Sequence, residues 1–185
     1  SIRRQRQMCI RDSLLSLTTF GDASTDEELN IASMAFVSAL PSSSDTHGDT
    51  FVLHGGWASQ SLRLFAGVAE LTTIYLIADT VFSNSTQLLH LHHYTDNVHV
   101  QRWLSQGHGG LNAPYADPLI RFTCAMISRA EDAGHRFSLH VSSDLLSFGI
   151  RASHYPARSM LYANSTLPVR PLPPPLLTVL QEVQS

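Results

Sequence analysis

The chain has 185 residues, of which 43% are hydrophobic and 15% are charged, and its formal net charge is −3. This length and apolar content suit one globular domain with a sizeable core. The sparse charge excludes nucleic-acid binding through overall basicity, so any such contact must depend on a local patch. No segment is typical of a membrane-spanning helix, because the most apolar run (62–82) contains Arg63, Glu70 and Asp79, which a bilayer core disfavours.

The N-terminal end differs in character from the rest of the chain. Residues 1–13 resemble a short translated adaptor-like sequence, so we interpret them as a non-native or disordered leader and exclude them from the fold prediction. Arg11 and Asp12 interrupt the apolar stretch that a signal peptide would need. Cys9 and Cys124 match no disulfide or metal pattern, which suits a reducing compartment. We therefore expect an intracellular protein, cytoplasmic or nuclear, that is not secreted.

The first part of the chain predicts three strands joined as an antiparallel meander. Stretches rich in apolar and β-branched residues predict these strands at 14–20, 31–40 and 51–54. A polar loop lies at 41–50, and Gly55-Gly56 ends the third strand. The first strand ends at Gly21 and Asp22, where a glycine allows a tight backbone and leaves the carboxylate exposed. Asp22 is therefore either a turn residue or a site residue.

A long apolar stretch at 61–82 predicts a buried helix. Glu70 lies in its middle, with apolar residues one turn before it and one turn after it. An ionised carboxylate on such a face is costly unless something pairs with it. Three explanations remain open: an edge position, a salt bridge with a residue such as Arg63, and a metal shared with other carboxylates.

Asp96 lies where a predicted strand ends and a helix begins. The strand is 88–94, and the amphipathic helix pattern starts at Val98. Ligands collect beyond the carboxyl ends of strands in open α/β sheets, which makes Asp96 a candidate site residue. Asp is also a good N-cap residue, so capping of the helix is the alternative.

The second part of the chain predicts two more helices and one more strand. Asp117 is the predicted N-cap of a helix at 119–133, a strand follows at 137–141, and 142–148 is predicted loop. The last helix of the domain is predicted at 150–162, with Pro156 starting or kinking it. Residues 164–185 contain five prolines and predict a Pro-rich tail or linker with a short helix at 176–183. The predicted divisions are the leader 1–13, one domain at 14–163 and the tail 164–185.

Three local motifs resemble those of the ribonuclease H family, in particular the ribonuclease H domains of retroelement reverse transcriptases. They are FGDAST (20–25), VAELTTI (68–74) and HHYTDNVHVQRWLSQG (92–107). They match a strand followed by Asp, a small residue and Ser; an Ala–Glu–Leu run; and a Thr–Asp–Asn run followed by Val and Trp–Leu. The resemblance covers 14–162. It implies an α/β ribonuclease H-like fold: a mixed five-stranded sheet, made of an antiparallel three-strand meander plus parallel strands, flanked by helices.

The resemblance also implies two-metal nuclease chemistry on the RNA strand of RNA–DNA hybrids. Asp22, Glu70 and Asp96 would be both catalytic residues and metal ligands, holding two Mg²⁺ or Mn²⁺ ions about 3.5–4 Å apart. One ion would generate the attacking hydroxide and the other would stabilise the leaving oxygen. The resemblance implies four further residues that contact the substrate: Ser24, Asn97, Gln101 and Arg102. The implied partners are the hybrid and an upstream reverse transcriptase domain in a retroelement polyprotein, without a membrane.

The chain departs from the family pattern at the fourth acidic position. Ser153 stands where the family has Asp near the start of its last helix. Asp144 and His154 are the side chains that could substitute by swinging in. Two interpretations follow: a nuclease that works with three carboxylates, and a catalytically impaired module that binds nucleic acid or serves a structural role.

Three weaker interpretations concern other residues. His90, His92 and His93, with His99, could bind a transition metal, but alternation along a strand places His93 on the other face. Trp103 is expected to pack in the core rather than contact substrate. The Pro-rich segment could be a ligand for an aromatic groove of another protein or a linker to another module.

Overall fold

The computed structural model describes residues 14–39, 51–142, 147–162 and 166–184. The leader 1–13 and the predicted loop 41–50 lie outside the described residues. Within the described part, one mixed sheet carries the site, and helices pack on both of its faces.

The sheet has six strands in the order β5-β4-β1-β2-β3-β6. The strands are β1 (Leu15–Asp26), β2 (Ile31–Ala39), β3 (Phe51–Ser59), β4 (Leu89–Thr95), β5 (Arg136–Val141) and β6 (Val169–Arg170). The pairs β1–β2 and β2–β3 are antiparallel, whereas β1–β4, β4–β5 and β3–β6 are parallel. The predicted meander plus parallel strands is confirmed, with six strands in place of the predicted five because the two-residue β6 joins the edge.

Within the described ranges, five α-helices accompany the sheet. They are α1 (Ala66–Asn84), α2 (Val98–Gln106), α3 (Asp117–Asp132), α4 (Ser147–Leu161) and α5 (Pro174–Gln184), with a 3₁₀ turn at Pro114–Ala116. By length and composition α1 could cross a membrane, but 67% of its apolar stretch is buried inside this fold. Its apolar residues therefore serve the core of the domain.

Alternation along β2 separates the two faces of the sheet. Met34 and Phe36 belong to the main core, which includes residues of α1, whereas Ala35 packs with Ala157 and Met160 of α4. Because neighbouring residues of a strand point to opposite faces, α1 and α4 cover opposite sides of the sheet.

Two predicted strand ends are wrong. β1 runs to Asp26, so Asp22 lies inside the strand opposite Ala35 and is not a turn residue. β3 does not end at Gly55 and Gly56 but continues through them. Gly55 has φ 77°, and the register between β2 and β3 shifts beside it, so the pair forms a local irregularity within the strand. A Cβ on Gly56 would lie 1.8 Å from the Met34 carbonyl oxygen, so only glycine fits there.

The C-terminal prediction is also corrected. Residues 166–184 are not a tail or linker, because Val169–Arg170 pairs with β3 and α5 packs into the core through its apolar face. The buried residues of this helix are Leu176, Leu180 and Val183. The predicted short helix at 176–183 is confirmed within α5. Proline at the first positions of a helix costs no backbone hydrogen bond, so the Pro-rich run starts α5 instead of preventing structure.

Pro156 does not start α4, in contrast to one of the two predicted roles. The helix extends from Ser147 to Leu161 with Pro156 inside it. Proline removes one backbone hydrogen bond from a helix. The buried Ala157 and Met160, which pack against the sheet, maintain the helix beyond it.

Candidate active site

Strand register brings Asp22 and Asp96 to the same end of the sheet. The last parallel pair between β1 and β4 is Phe20 opposite Tyr94. Two residues further along the chain in each case are Asp22, which lies inside β1, and Asp96, which directly follows the end of β4. Parallel strands end on the same side of a sheet, so both carboxylates lie at its carboxyl edge, where α/β proteins place their sites.

A glycine on β1 allows α1 to approach this edge. A Cβ on Gly21 would lie 2.6 Å from Thr73 Cγ2 and 2.7 Å from Ile77 Cδ1. Both distances are shorter than real Cβ contacts, so a side chain at this position would have to displace Thr73 and Ile77 of α1. Glu70 precedes Thr73 by about one turn, and its Oε1 accepts a hydrogen bond from the Ala23 backbone N–H at 3.2 Å. The close approach at Gly21 therefore fixes Glu70 beside β1.

Glu70 and Asp22 form a buried carboxyl pair. Asp22 Oδ1 accepts from the same Ala23 N–H at 2.9 Å, and the Asp22 side chain is 12% exposed. Burial raises the pKa of Glu70 to about 9, assisted by the charge of Asp22, by a hydrogen bond to Asp22 and, least, by the charge of Asp96. At neutral pH Glu70 is therefore protonated, and two acidic side chains share one negative charge. The structure pairs Glu70 with the Asp22 carboxyl group. The salt bridge considered with Arg63 is not formed, because Arg63 binds Glu27 at 3.1 Å. A metal shared with other carboxylates stays a prediction.

Asp96 is near this pair but does not join it. Its side chain is exposed, and its charge acts on Glu70 only as the smallest cause of the raised pKa. Across the ranges that the structure describes, no three His, Cys, Asp or Glu side chains converge closely enough to hold a metal ion. The cluster is thus a buried pair with a third carboxylate at its solvent side.

Asp96 is not the cap of α2. Asn97 is the N-cap residue, and its side-chain oxygen accepts hydrogen bonds from the N–H groups of His99 and Val100 at 3.0 and 3.2 Å. The alternative role considered for Asp96 is therefore wrong by one residue, because the helix starts at Val98. Asp96 is left free of capping and available to a ligand.

His154 of α4 contacts the buried pair from the other side of the sheet. Its Nδ1 lies 2.6 Å from Asp22 Oδ2, and its side chain is 68% exposed. Ser153, the residue aligned with the family's fourth acid, is fully buried in the packed face of α4. Asp144 lies outside the described residues. Among the three residues considered for the fourth corner, His154 is the one that the structure places against Asp22.

The sequence contains a signal that His154, and not Ser153, faces the site. Ser153, Ala157 and Met160 recur at spacings of four and three residues and are all buried, which is the pattern of the packed face of a helix. His154 lies about 100° around the helix from Ser153, at the margin of that face. The periodicity of α4 therefore buries Ser153 and leaves His154 at the margin of the packed face.

The predicted substrate contacts lie in two places. Ser24 is half-buried on β1, two residues after Asp22. Gln101 and Arg102 project from α2 into a groove of about 620 Å³ between α2, α3 and β5, where Arg102 Nη2 lies 2.9 Å from His99 Nδ1. Asn97 uses its side-chain oxygen for the cap, so its role in substrate binding competes with a structural one. The packing of Trp103 in the core is confirmed.

The histidines of β4 divide as alternation predicts. His93 is buried on one face, within 2.9 Å of Thr19 Oγ1, and burial lowers its pKa to about 3. His90 and His92 lie on the other face, where His92 Nδ1 is 3.0 Å from His140 Nε2 of β5. His99 is separate on α2. No three of them meet as ligands in the part of the chain described here.

The donors of the site suit a hard divalent cation. Asp22, Glu70 and Asp96 offer only carboxylate oxygens, the ligands that Mg²⁺ and Mn²⁺ prefer. Burial and the charge of Asp22 raise the pKa of Glu70, so an ionised Glu70 at this position requires a positive partner. For all three to share an ion, Glu70 must lose its proton and Asp96 must turn inward. The donor chemistry therefore fits, and the change it requires is local.

Comparisons with known proteins identify the fold through solved structures and not through sequence. No protein-family model and no curated protein sequence matches the chain. Solved structures do match. One is RNase H1 from the halophilic archaeon Halobacterium salinarum NRC-1, with 14% identity and a TM-score of 0.53 over 79% of this chain and 99% of that one. Another is the PFV RNase H domain, with 13% identity and a TM-score of 0.52 over 84% of this chain and 95% of that one. A foamy viral protease-reverse transcriptase in complex with RNA/DNA hybrid also matches (12% identity, TM-score 0.52), over 83% of this chain and 21% of that one.

These matches establish that the chain has the ribonuclease H-like fold. The predicted fold and the resemblance to reverse-transcriptase ribonuclease H domains are confirmed at that level. Identities of 12–14% carry the fold and not the chemistry, so the roles of Asp22, Glu70 and Asp96 stay predictions.

Proposed function

We propose that this chain is a ribonuclease H that hydrolyses the RNA strand of RNA–DNA hybrids with the help of two divalent cations. Asp22, Glu70 and Asp96 are the proposed catalytic residues and metal ligands. One observation carries the proposal: two carboxyl groups from different elements, Asp22 and Glu70, share a buried hydrogen-bonded site at the carboxyl edge of the sheet, beside Asp96.

Each residue has a separate role in the proposed reaction. Asp22 is held by β1 and by the Ala23 N–H, so it would be a ligand in a fixed position. Glu70 must ionise before it binds a cation, which couples metal binding to proton release. Asp96, the exposed member, closes the site from the solvent side. When bound, the two cations would lower the pKa of the attacking water and stabilise the leaving 3′ oxygen of the RNA strand.

Substrate recognition is proposed to use shape and the 2′-hydroxyl groups of the RNA strand. Gln101 and Arg102 lie on α2, which starts directly after Asp96, and Ser24 follows Asp22 on β1. Their proximity in the chain to the carboxylates supports contact with the strand being cut. Two of the structural neighbours are a foamy viral reverse transcriptase solved with RNA/DNA hybrid and an RNase H domain, which supports linkage to an upstream reverse transcriptase in a retroelement polyprotein. Such a protein would act inside the cell.

The competing proposal is a catalytically impaired module that still binds hybrids. One observation favours it: among the residues the structure describes, no three acidic or histidine side chains are close enough together to hold a metal ion. The two proposals differ in cleavage, not in binding. Measuring both on the same protein therefore separates them.

The test uses the full 185-residue chain, a labelled RNA–DNA hybrid and Mn²⁺ or Mg²⁺. We expect cleavage of the RNA strand of the hybrid and no cleavage of the matching RNA or DNA duplexes. Asp96→Asn should abolish cleavage and retain binding of the hybrid. Asp132→Asn, which neutralises an exposed carboxylate at the end of α3, is the matched control and should cleave as the wild type does.

Two results would contradict the proposal in different ways. Binding of the hybrid without cleavage in either cation would support the impaired module. Equal cleavage by the wild type and by Asp96→Asn would assign the activity to a contaminant and leave the proposed ligands without a role.

A further inference from the structure

The contact between His154 and Asp22 supplies the site with a nitrogen donor. His154 Nδ1 lies 2.6 Å from Asp22 Oδ2, on the oxygen that does not accept from the Ala23 N–H. The imidazole comes from α4, on the side of the sheet opposite α1. It is 68% exposed, so it can turn about its side-chain bonds without disturbing the core.

The spacing of these two atoms is that of neighbouring ligands on one ion. Donors bound at right angles to an octahedral cation at about 2.1 Å lie about 3 Å apart. A separation larger by a few tenths of an ångström, together with rotation of the imidazole, would let both atoms face one cation beside the line that joins them. The exposed side chain of His154 can supply this displacement by turning about its own bonds.

The neighbouring residue offers no comparable donor. Ser153 is fully buried against the sheet, so its hydroxyl cannot reach a cation at the solvent side of Asp22. The family resemblance implies a fourth carboxylate at the position of Ser153. In the described part of α4, the side chain beside Asp22 is instead the imidazole of the next residue, His154.

We propose that His154 is a ligand of one of the two cations, and that this makes the site prefer Mn²⁺ and later first-row ions to Mg²⁺. This inference rests on the proposed function, because it assigns the remaining ligand of the same site. Mg²⁺ is a hard ion that selects oxygen donors, whereas nitrogen donors bind first-row transition ions more tightly, in an order that rises from Mn²⁺ to Cu²⁺. Replacing one carboxylate oxygen by imidazole therefore weakens Mg²⁺ more than Mn²⁺. It also removes one negative charge from a site that already holds three acidic side chains.

The experiment measures metal ligation directly, apart from catalysis. The full chain is titrated with Mn²⁺, free Mn²⁺ is followed by electron paramagnetic resonance, and the bound ion is examined by pulsed methods for coupling to ¹⁴N. We expect ¹⁴N coupling in the wild type and its loss in both His154→Ala and His154→Asp. His108→Ala, which removes another exposed histidine, should keep the coupling.

Affinities provide the second measurement. Competition with Mg²⁺ should show that His154→Asp shifts the Mg²⁺-to-Mn²⁺ affinity ratio toward Mg²⁺ by about tenfold or more, equivalent to about 1.4 kcal/mol. Bound Mn²⁺ without ¹⁴N coupling in the wild type would overturn the inference and reduce His154 to a hydrogen-bond partner of Asp22. Hybrid cleavage in that same sample would leave the proposed function intact, whereas absence of both Mn²⁺ binding and cleavage would overturn both.

Discussion

Glu70→Gln should make the metal-free protein more stable at alkaline pH while removing its proposed activity. The Glu70 carboxyl is buried beside Asp22, and its pKa is raised from 4.5 to about 9. Between these two values the unfolded chain has lost the proton and the folded chain retains it. The folded state therefore binds more protons, and the free energy of unfolding falls as pH rises through this window.

The size of the effect follows from the width of the window. Each pH unit between the two pKa values costs about 1.4 kcal/mol, so moving from pH 4.5 to pH 8 removes at most about 5 kcal/mol. Water entry at this edge of the sheet lowers the cost, and we expect a loss of about 2–4 kcal/mol. Glutamine keeps the shape and the hydrogen-bonding ability of the protonated acid but cannot ionise. The Glu70→Gln protein should avoid most of this loss.

The assay is urea unfolding at pH 5 and pH 8 in the presence of EDTA. The wild type should lose about 2–4 kcal/mol more than Glu70→Gln between the two pH values. Glu131→Gln, which changes an exposed glutamate on α3, is the matched control and should follow the wild type. Equal pH dependence in the wild type and Glu70→Gln would refute the reasoning, because it would show that Glu70 ionises as freely in the folded protein as in the unfolded chain.

Two further predictions concern how the site is held in place. Gly21→Ala should destabilise the fold by about 1–3 kcal/mol in urea unfolding, since its Cβ would lie 2.6 Å from Thr73 Cγ2. Adding Thr73→Ser, which deletes that methyl group, should recover part of the lost stability. If no stability is recovered, the strain does not arise from this contact. Asn97→Ala should cost about 1 kcal/mol through loss of the α2 N-cap, whereas Asp96→Ala should leave the cap intact; an equal loss from both changes would contradict the assignment of Asn97 as the cap.

The sequence predicted the fold best where local pattern and long-range contacts agree. The meander and the buried helix α1 follow from strong apolar patterns. Glu70 is a candidate site residue because its carboxylate lies on an apolar face of that helix. Register then placed Asp22 and Asp96 together, since both lie two residues beyond the last β1–β4 pair. The convergence of these elements required the family motifs, because no single-strand pattern states which strands are neighbours.

Strand ends and the C-terminal region could not be predicted in this way. Gly55-Gly56 has the composition of a stop, but its pairing with β2 and the approach of Pro168 keep the strand going: the Gly56 N–H donates to the Pro168 carbonyl at 3.0 Å. The prolines at 171–175 have the composition of a linker, yet they lead into an amphipathic helix, form its first residues and so help to cover apolar residues of the core. In both cases a contact between residues far apart in the chain outweighs the local preference.

The exposed position of Asp96 follows from the charge of the cluster. Asp22 and Glu70 share one proton, and His154 contacts the remaining Asp22 oxygen, so each buried acceptor already has a partner. Bringing a third, ionised carboxylate within 4 Å of a like charge would cost about 4 kcal/mol in surroundings of intermediate polarity. In metal-free protein Asp96 therefore remains in water. Under the proposed function, a bound divalent cation would reverse the sign of this interaction and would favour turning of Asp96 toward Glu70.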